Sequence, residues 1–170
     1  DLFIKAVSLI KDFLTENNCE LYIYGPDCKG RYDQVKNLLK NYNVENLITL
    51  AGAVTGEQKE NILLNADVFV QTSRTEGMPM GILEALCYGI PCLITEGTTM
   101  GRIVGRYNAG WVAETNAESI ALQIEKAVSD REEWNRKSKN AVRLIEENFD
   151  WNKISQKTVE KYMEIIQQSI

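Results

Sequence analysis

The sequence contains no histidine, and this absence excludes several kinds of active site. Ser–His–Asp and Cys–His nucleophile systems cannot be built from this chain, and no histidine-ligated metal can be held. The sequence also lacks an Asp-x-Asp motif, so a dedicated metal–diphosphate clamp is not indicated. Any proton transfer must therefore fall to carboxylates, lysine, tyrosine, cysteine or the substrate itself.

Long apolar runs and clusters of basic residues are missing as well. No apolar run approaches the ~20 residues of a membrane span, and the first residues lack the basic start and the cleavage site of a signal peptide. The net charge is −5 with Lys and Arg scattered, which argues against a protein that binds duplex nucleic acid. We therefore expect no nucleic-acid partner and no membrane span, while a nucleotide is still compatible with the sequence because a few local donors can hold it.

Cysteines are few, and none forms a C-x-x-C pair. The four cysteines are Cys19, Cys28, Cys87 and Cys92. Cys87 and Cys92 lie in apolar segments, which predicts buried thiols. Unpaired cysteines of this kind indicate a reducing compartment, so we expect a cytoplasmic protein.

The pattern along the 170 residues predicts an α/β fold. Short β-rich runs alternate with helical stripes, and the connections between them are short. This alternation predicts one domain over 1–170 with a doubly wound, mostly parallel Rossmann-like sheet flanked by helices. Strands are predicted at 21–24, 47–50, 67–71, 91–95 and 110–113. Helices are predicted at 2–14, 32–42, 57–65 and 82–87, and from 117 to the end with a break at 148–151, so that the last helix runs over about 151–169.

The most informative segment is Glu76–Glu84, which reads EGMPMGILE. Two carboxylates bracket a loop with glycine and proline, between a predicted strand and a predicted helix that starts at Ile82. Such a turn presents free backbone N–H groups and the positive end of the helix dipole, which suits a phosphate or a sugar hydroxyl. Ligands of such sheets bind outside the carboxyl ends of the strands. We therefore expect Glu76 in the loop and Glu84 in the first helical turn to face one small cleft.

Each of these residues also has a simpler interpretation. Glu76 could be an ordinary surface residue, and Glu84 could simply favour a helix start, although an acid within an apolar stretch needs a partner. Arg74 could pair with Glu76, bind a phosphate or stay solvated. Met78 and Met80 could flank a ligand or fill gaps in the core.

The stretch 65–94 resembles the group 1, family 4 retaining glycosyltransferases. The hallmark of that family is E-x7-E, followed by an Ala-rich turn, Gly-x-Pro and a strand, and all of these are present. The resemblance extends to 21–25, 50–52, 110–112 and 149–151, so it covers nearly the whole chain. The family has the GT-B architecture of two facing Rossmann-like domains, and this chain resembles the C-terminal, donor-binding one.

The resemblance implies a role for each matching residue. Glu84 would bind the ribose hydroxyls of a nucleotide-diphosphate sugar, and Glu76 would be the catalytic residue that faces the donor sugar. Backbone N–H groups near the loop would hold sugar and diphosphate, and the loops after two earlier strands would border the base. The remaining donor-binding residues are Gly77, Met78, Met80, Gly81, Gly25, Ala53 and Val54.

The resemblance also implies the reaction and its partners. The expected function is retaining transfer of a hexosyl group to a saccharide or lipid-linked acceptor in polysaccharide biosynthesis, with no obligatory metal or other cofactor. The acceptor would be held by an N-terminal domain that this chain lacks, and the chain alone would be inactive. Two alternatives are a non-catalytic Rossmann-like interaction domain and another GT-B nucleotide-sugar enzyme.

The chain departs from the family pattern in two places. The family supplies an Arg and a Lys to the diphosphate from its first strand and loop, which would precede Ile4, so that strand and both cations are expected to be absent. In the loop after the strand at 91–95, the family often has Glu before Ile-Val, whereas Arg102 precedes Ile103 here.

Overall fold

Short parallel strands alternate with helices along the part of the chain that the structure, a computed structural model, describes, residues 1–168. The strands are β1 (Leu21–Tyr24), β2 (Ile48–Gly52), β3 (Phe69–Gln71), β4 (Cys92–Thr95) and β5 (Gly110–Ala113). The helices are α1 (Leu2–Leu9), α2 (Lys11–Glu16), α3 (Arg31–Asn41), α4 (Gly56–Leu64), α5 (Met80–Cys87), α6 (Gly101–Tyr107), α7 (Ala117–Ser129), α8 (Glu132–Asn148) and α9 (Trp151–Gln168). Within residues 1–168, no helix combines the length and the apolar character that crossing a bilayer requires.

The strands pair in parallel, which confirms the predicted α/β class, but they form two sheets. β1 pairs with β2, and the order in the other sheet is β3-β4-β5. Parallel neighbours need a crossover connection, and the intervening helices supply it. The single sheet that the alternation predicts is therefore interrupted, because within residues 1–168 β1 and β3 form no ladder with each other.

β4 lies between the two hydrophobic clusters of the protein. Leu93 on one face joins a cluster built from α1, α2, β1, β2 and α7, while Cys92 and Ile94 on the other face join a cluster built from α5, α6 and α8. All four β4 residues are buried. A parallel strand covered on both faces must be apolar throughout, which explains the run Cys-Leu-Ile after Pro91.

The helix predicted at 2–14 is wrong in one respect, because the structure divides it at Ile10. The backbone of Ile10 leaves helical geometry at φ −126° and ψ 24°, and α2 begins at the next residue. Ile4, Val7 and Leu14 on the two pieces are buried in the same cluster. α1 packs on α7, with a Lys5–Glu118 ion pair of 3.6 Å at the edge of the contact.

Helix α6 has no counterpart in the sequence-based prediction. Its seven residues include Gly101 and Gly105, and glycine lowers helix propensity by about 1 kcal/mol relative to alanine. Burial of Val104 and of the preceding Met100 in the second cluster stabilises the helix instead. The helix ends at Tyr107, and the next residue, Asn108, has the left-handed conformation that asparagine tolerates.

The continuous helical region predicted from 117 is also interrupted once more than expected. α7 ends at Ser129 and α8 starts at Glu132, whereas the predicted break at 148–151 is confirmed. At that break the Asp150 carboxylate accepts a 3.1 Å hydrogen bond from the N–H of Lys153 and caps α9. The last helix is described to Gln168, and the predicted end at 169 lies outside the described residues.

A buried lysine joins α8 to β5. Lys137 is 6% exposed, and its ammonium group donates to the Asn108 side-chain oxygen at 2.5 Å and to the Gly110 carbonyl at 3.1 Å. The same ammonium group lies 4.8 Å from the centre of the Trp111 ring. Burial lowers the pKa of Lys137, an effect that nearby Glu133 opposes. The two hydrogen bonds and the ring contact compensate for this desolvation.

The prediction of two buried thiols is right for Cys92 and wrong for Cys87. Cys92 is fully buried, and burial raises the pKa of its thiol far above the ordinary value. Cys87 is exposed. It lies three residues after the half-exposed Glu84 and therefore shares the outer face of α5.

This difference predicts the order in which the thiols react. We expect an alkylating reagent at neutral pH to modify Cys28 and Cys87 in the folded protein and to modify Cys92 only after unfolding, because thiolate formation and access both control the rate. Cys87 should react more slowly than Cys28, since burial and then the nearby Glu84 raise the pKa of Cys87. Mass spectrometry of alkylated peptides over time measures the order. Early modification of Cys92 would contradict the packing of β4.

Candidate functional site

The loop that carries Glu76 is bound along its backbone to the loop that follows β4. The Glu76 N–H donates to the Gly97 carbonyl at 3.1 Å, and the Thr99 N–H donates to the Glu76 carbonyl at 3.2 Å. The Thr99 hydroxyl donates to the carbonyl of Gly77. The backbone of the Glu76 loop is therefore fixed by a second loop at the same carboxyl edge of the sheet.

Gly97 makes this close approach possible. A Cβ atom at residue 97 would overlap the carbonyl oxygen of Arg74, so the two loops could not keep their separation with any other amino acid there. Close by, the buried Thr95 hydroxyl donates to the Ser73 carbonyl at 2.5 Å. From the sequence, Gly97 after Thr95 was expected to be one of the loop glycines at this edge, whereas its contact with the Arg74 backbone and the bonds of the two threonines were not predicted.

The start of α5 presents unpaired amides. The helix begins at Met80 and not at Ile82 as predicted, with Pro79 as the residue before it. Within residues 1–168, no hydrogen-bond acceptor is found for the N–H groups of Gly77, Met78, Met80 or Gly81. Such orphan amides at a helix start attract anions and hydroxyl oxygens.

The two loop methionines do not fill the core. Met78 is 64% exposed and Met80 is 60% exposed, so neither is a packing residue. Glu76, between β3 and these methionines, is half-buried. Methionine side chains that filled the site would have favoured a non-catalytic interaction domain. The structure instead leaves both side chains exposed.

Glu84 forms an ion pair with a residue that the sequence analysis did not identify. Because α5 starts two residues early, Glu84 lies in the second helical turn and not in the first. Its Oε2 atom is 2.6 Å from Nζ of Lys59 on α4, with the side chains of Glu84 and Lys59 36% and 39% exposed. The prediction that this acid needs a partner is confirmed. No spacing in the sequence indicated Lys59, because the two residues are joined only by the packing of α4 beside α5.

A cleft of about 380 Å³ lies between α4 and α5 and takes in this ion pair. Farther along it, the Tyr88 hydroxyl donates to the Glu60 carboxylate at 2.9 Å, and this bond raises the pKa of Tyr88. The cleft is lined by Gly56, Glu57, Lys59, Glu60, Leu63, Glu84 and Tyr88. Glu76 is not among the lining residues, so a shared cleft for both carboxylates stays a prediction.

The loops after β1 and β2 meet at the same edge. The Gly25 N–H donates to the Gly52 carbonyl at 2.8 Å, and the Tyr32 hydroxyl donates to the Gly25 carbonyl at 2.7 Å. Ala53, next to Gly52, is exposed and Val54 is half-buried. These residues are accessible to a ligand, and their contact with a base stays a prediction.

Arg74 forms an ion pair that was not predicted for it, while its side chain stays 61% exposed. Its guanidinium group binds both carboxylate oxygens of Asp1, at 2.9 and 2.6 Å, in a bidentate ion pair. Glu76 is not its partner. The arginine therefore attaches the loop to the start of α1, where Asp1 also caps the first N–H of the helix.

The chain belongs to a known enzyme family. A model of the family "Glycosyl transferases group 1" matches residues 1–144, which is most of the chain. The fold and the loop between β3 and α5 are thus those of a group 1 glycosyltransferase domain.

Similar proteins agree with this assignment. An uncharacterized glycosyltransferase of Methanocaldococcus jannaschii is 28% identical over 153 residues, which cover 88% of this chain and 38% of the relative. The UDP-Gal:alpha-D-GlcNAc-diphosphoundecaprenol alpha-1,3-galactosyltransferase of Escherichia coli is 27% identical over 157 residues, covering 91% of this chain and 40% of the relative. The chain therefore spans well under half of the length of these relatives.

The fold is also that of solved glycosyltransferase structures. A mutant of the S. aureus protein TarM, in complex with fondaparinux, alpha-GlcNAc-glycerol and UDP, superposes with a TM-score of 0.80 at 21% identity. The match covers 94% of this chain and 32% of TarM. This likeness establishes the fold and leaves the ligands of the present chain to be argued from its own residues.

The contact between the two loops generates a prediction about residue 97. Gly97→Ala should lower the free energy of unfolding by about 3 kcal/mol, because the new methyl group forces the backbone of Arg74 away. Hydrogen exchange at the amides of Glu76 and Thr99 should become faster, since those two amides bridge the loops. Denaturant unfolding and exchange measured by NMR test both effects.

The matched control is Gly77→Ala in the partner loop. A Cβ atom at residue 77 meets open space, and the substitution should therefore leave stability and exchange near their original values. Equal effects of the two substitutions would show that the separation of the loops is not the constraint.

Proposed function

We propose that this chain is the donor-binding domain of a retaining GT-B glycosyltransferase and that it binds a nucleotide-diphosphate sugar. The observation that carries the proposal is the set of unpaired amides at residues 77, 78, 80 and 81, which lies on the same short segment as Glu76 and Glu84. A diphosphate and a sugar both need several donors at close range, and a helix start supplies them without a cation. The E. coli relative named for UDP-galactose and the UDP complex of TarM support this choice of ligand.

Each residue takes a distinct part in the proposed complex. The Glu84 carboxylate accepts hydrogen bonds from the ribose hydroxyls, and the Glu76 carboxylate faces the hydroxyls of the donor sugar beside the bond that breaks. The amides of Gly77, Met78, Met80 and Gly81 hold the sugar and the diphosphate. Charge-assisted hydrogen bonds to a carboxylate contribute about 1.5–3 kcal/mol each, which makes Glu84 a strong contributor to affinity.

The base takes the remaining space at the carboxyl edge. It lies against Gly25, Ala53 and Val54, which belong to the two loops that meet through the bond between Gly25 and Gly52. Backbone contacts of this kind select a base by the position of its hydrogen-bonding edge and need no charged side chain.

The acceptor is held by a part of the enzyme outside this sequence. The chain accounts for 38% and 40% of two relatives, and a facing domain of comparable size supplies the acceptor side of the cleft. We place one further strand, also from outside this sequence, between β1 and β3, where the two sheets are not joined. That strand and its loop bring the Arg and Lys that neutralise the diphosphate.

The reaction in this proposal is transfer of a hexosyl group with retention to a saccharide or lipid-linked acceptor, in the cytoplasm, during polysaccharide biosynthesis. The leaving diphosphate takes the proton of the acceptor hydroxyl. The transfer needs no obligatory metal or other cofactor, and activity of the full-length protein that persists in excess chelator would support this part of the proposal.

Calorimetric titration of the full-length protein with UDP, GDP and their sugar conjugates tests the donor assignment. Glu84→Ala should weaken binding of the preferred nucleotide about tenfold or more, because the charge-assisted bonds to ribose are lost. Glu45→Ala is the matched control, since Glu45 is exposed and lies before β2 at the opposite edge of the sheet. Binding that is indifferent to Glu84→Ala would remove the ribose assignment.

A further inference from the structure

The ion pair between Lys59 and Glu84 is the feature of the cleft that the family resemblance did not anticipate. The Lys59 ammonium group is 2.6 Å from Oε2 of Glu84, and among residues 1–168 no other charged side chain forms an ion pair with either of them. Lys59 is in the first half of α4, and Glu84 is in the second turn of α5. The contact therefore connects two helices that approach each other across the cleft.

The surroundings of the pair leave one side of Glu84 open. The neighbouring acid on α4, Glu60, accepts a 2.9 Å hydrogen bond from the Tyr88 hydroxyl and forms no ion pair with Lys59. Ile82, Leu83, Ala85 and Leu86 around Glu84 on α5 are buried in the second cluster. Glu84 therefore lies on the face of α5 opposite these buried residues, with Lys59 as its ion-pair partner and the rest of its carboxylate at the cleft.

The acceptor capacity of a carboxylate explains why the cation matters. An ionised carboxylate has two oxygens with about four lone-pair sites, and Lys59 takes one of them on Oε2. The other sites remain for a ligand. Two neighbouring ribose hydroxyls need two acceptor sites at a fixed angle. A glutamate on an exposed helix face samples several rotamers, so its carboxylate keeps one orientation only when a partner stabilises one of these rotamers.

We propose that Lys59 is a positioning residue that fixes the Glu84 carboxylate for recognition of the ribose diol. The proposal rests on the assignment of Glu84 to the ribose of the donor. Lys59 acts through Glu84 and selects nucleotides that carry both hydroxyls. The helix that carries Lys59, α4, directly follows the loop of Ala53 and Val54, on the side of the cleft that is proposed to receive the base.

The test compares nucleotides that differ only at the ribose. UDP and 2′,3′-dideoxy-UDP, and the corresponding guanine pair, are titrated into the full-length protein and its variants by calorimetry. The wild type should bind the diol form of its preferred nucleotide about tenfold more tightly than the dideoxy form. Lys59→Met should reduce this ratio to near one by weakening the diol form alone, and Lys59→Arg should restore most of it.

Two further variants separate this role from a structural one. Lys36→Met removes an ion pair within α3, with Asp33, that lies away from the cleft, and it should leave the ratio unchanged. Adding Lys59→Met to Glu84→Ala should cause no further loss, because the lysine acts only through the glutamate. Exposed ion pairs contribute little to stability, so the melting temperature of Lys59→Met should match that of Lys36→Met.

The outcomes distinguish the two proposals. If Glu84→Ala abolishes the preference for the diol and Lys59→Met keeps it, the role of Lys59 is overturned and the donor assignment stands. An equal loss of both nucleotide forms in Lys59→Met, or tighter binding, also overturns the role of Lys59. If the wild type has no preference for the diol and Glu84→Ala binds normally, the ribose assignment fails and the role of Lys59 fails with it.

Discussion

Burial of β4 on both faces is the constraint on which the rest of the structure depends. Its residues contribute to both hydrophobic clusters, with α7 packed on the strand from one side and α5 and α6 from the other. β4 is also the central strand of its sheet, and its neighbours are fixed by backbone bonds along its whole length. Gly110 on β5 lies so close to the Cys92 carbonyl that a Cβ atom there would overlap it. The loops that leave the carboxyl ends of β3 and β4 are consequently held side by side, and these loops build the candidate site.

The site combines two kinds of rigidity. On the side of Glu76, two loops bind each other through their backbones, and the approach is close because residue 97 is glycine. On the side of Glu84, side chains connect two helices across a cleft through one ion pair and one hydrogen bond. Between them, the amides at the start of α5 stay unpaired. A ligand that spans the whole region would therefore meet fixed donors in the middle and acidic groups at either end.

Local pattern was enough to predict most elements and the position of the loop between β3 and α5. The short apolar runs around Ile23, Val70 and Leu93 indicated strands, since a strand needs only local alternation or an apolar core run. Helix α6 was not predicted because Gly101 and Gly105 lower its intrinsic helix propensity. Its stability comes from burial of its apolar residues in the folded chain. The separation into two sheets could not be predicted from local pattern either, because contacts between residues distant in sequence decide which strands pair. Lys59, Gly97 and Lys137 illustrate the same limit at the level of side chains: each is defined by a partner that only the folded chain brings near.

The packing of α1 on α7 has a consequence for how the protein is made. The apolar face of α1, with Ile4, Ala6 and Val7, is buried against a helix that lies roughly 110 residues further along the chain, so the loop to be closed is long and the contact order high. During synthesis from the N-terminus, α1 leaves the ribosome many seconds before α7 exists, at the usual rate of about 5–20 residues per second. In that interval its face lacks the helix that covers it in the native state. The first hydrophobic cluster can therefore be completed only after α7 has been translated.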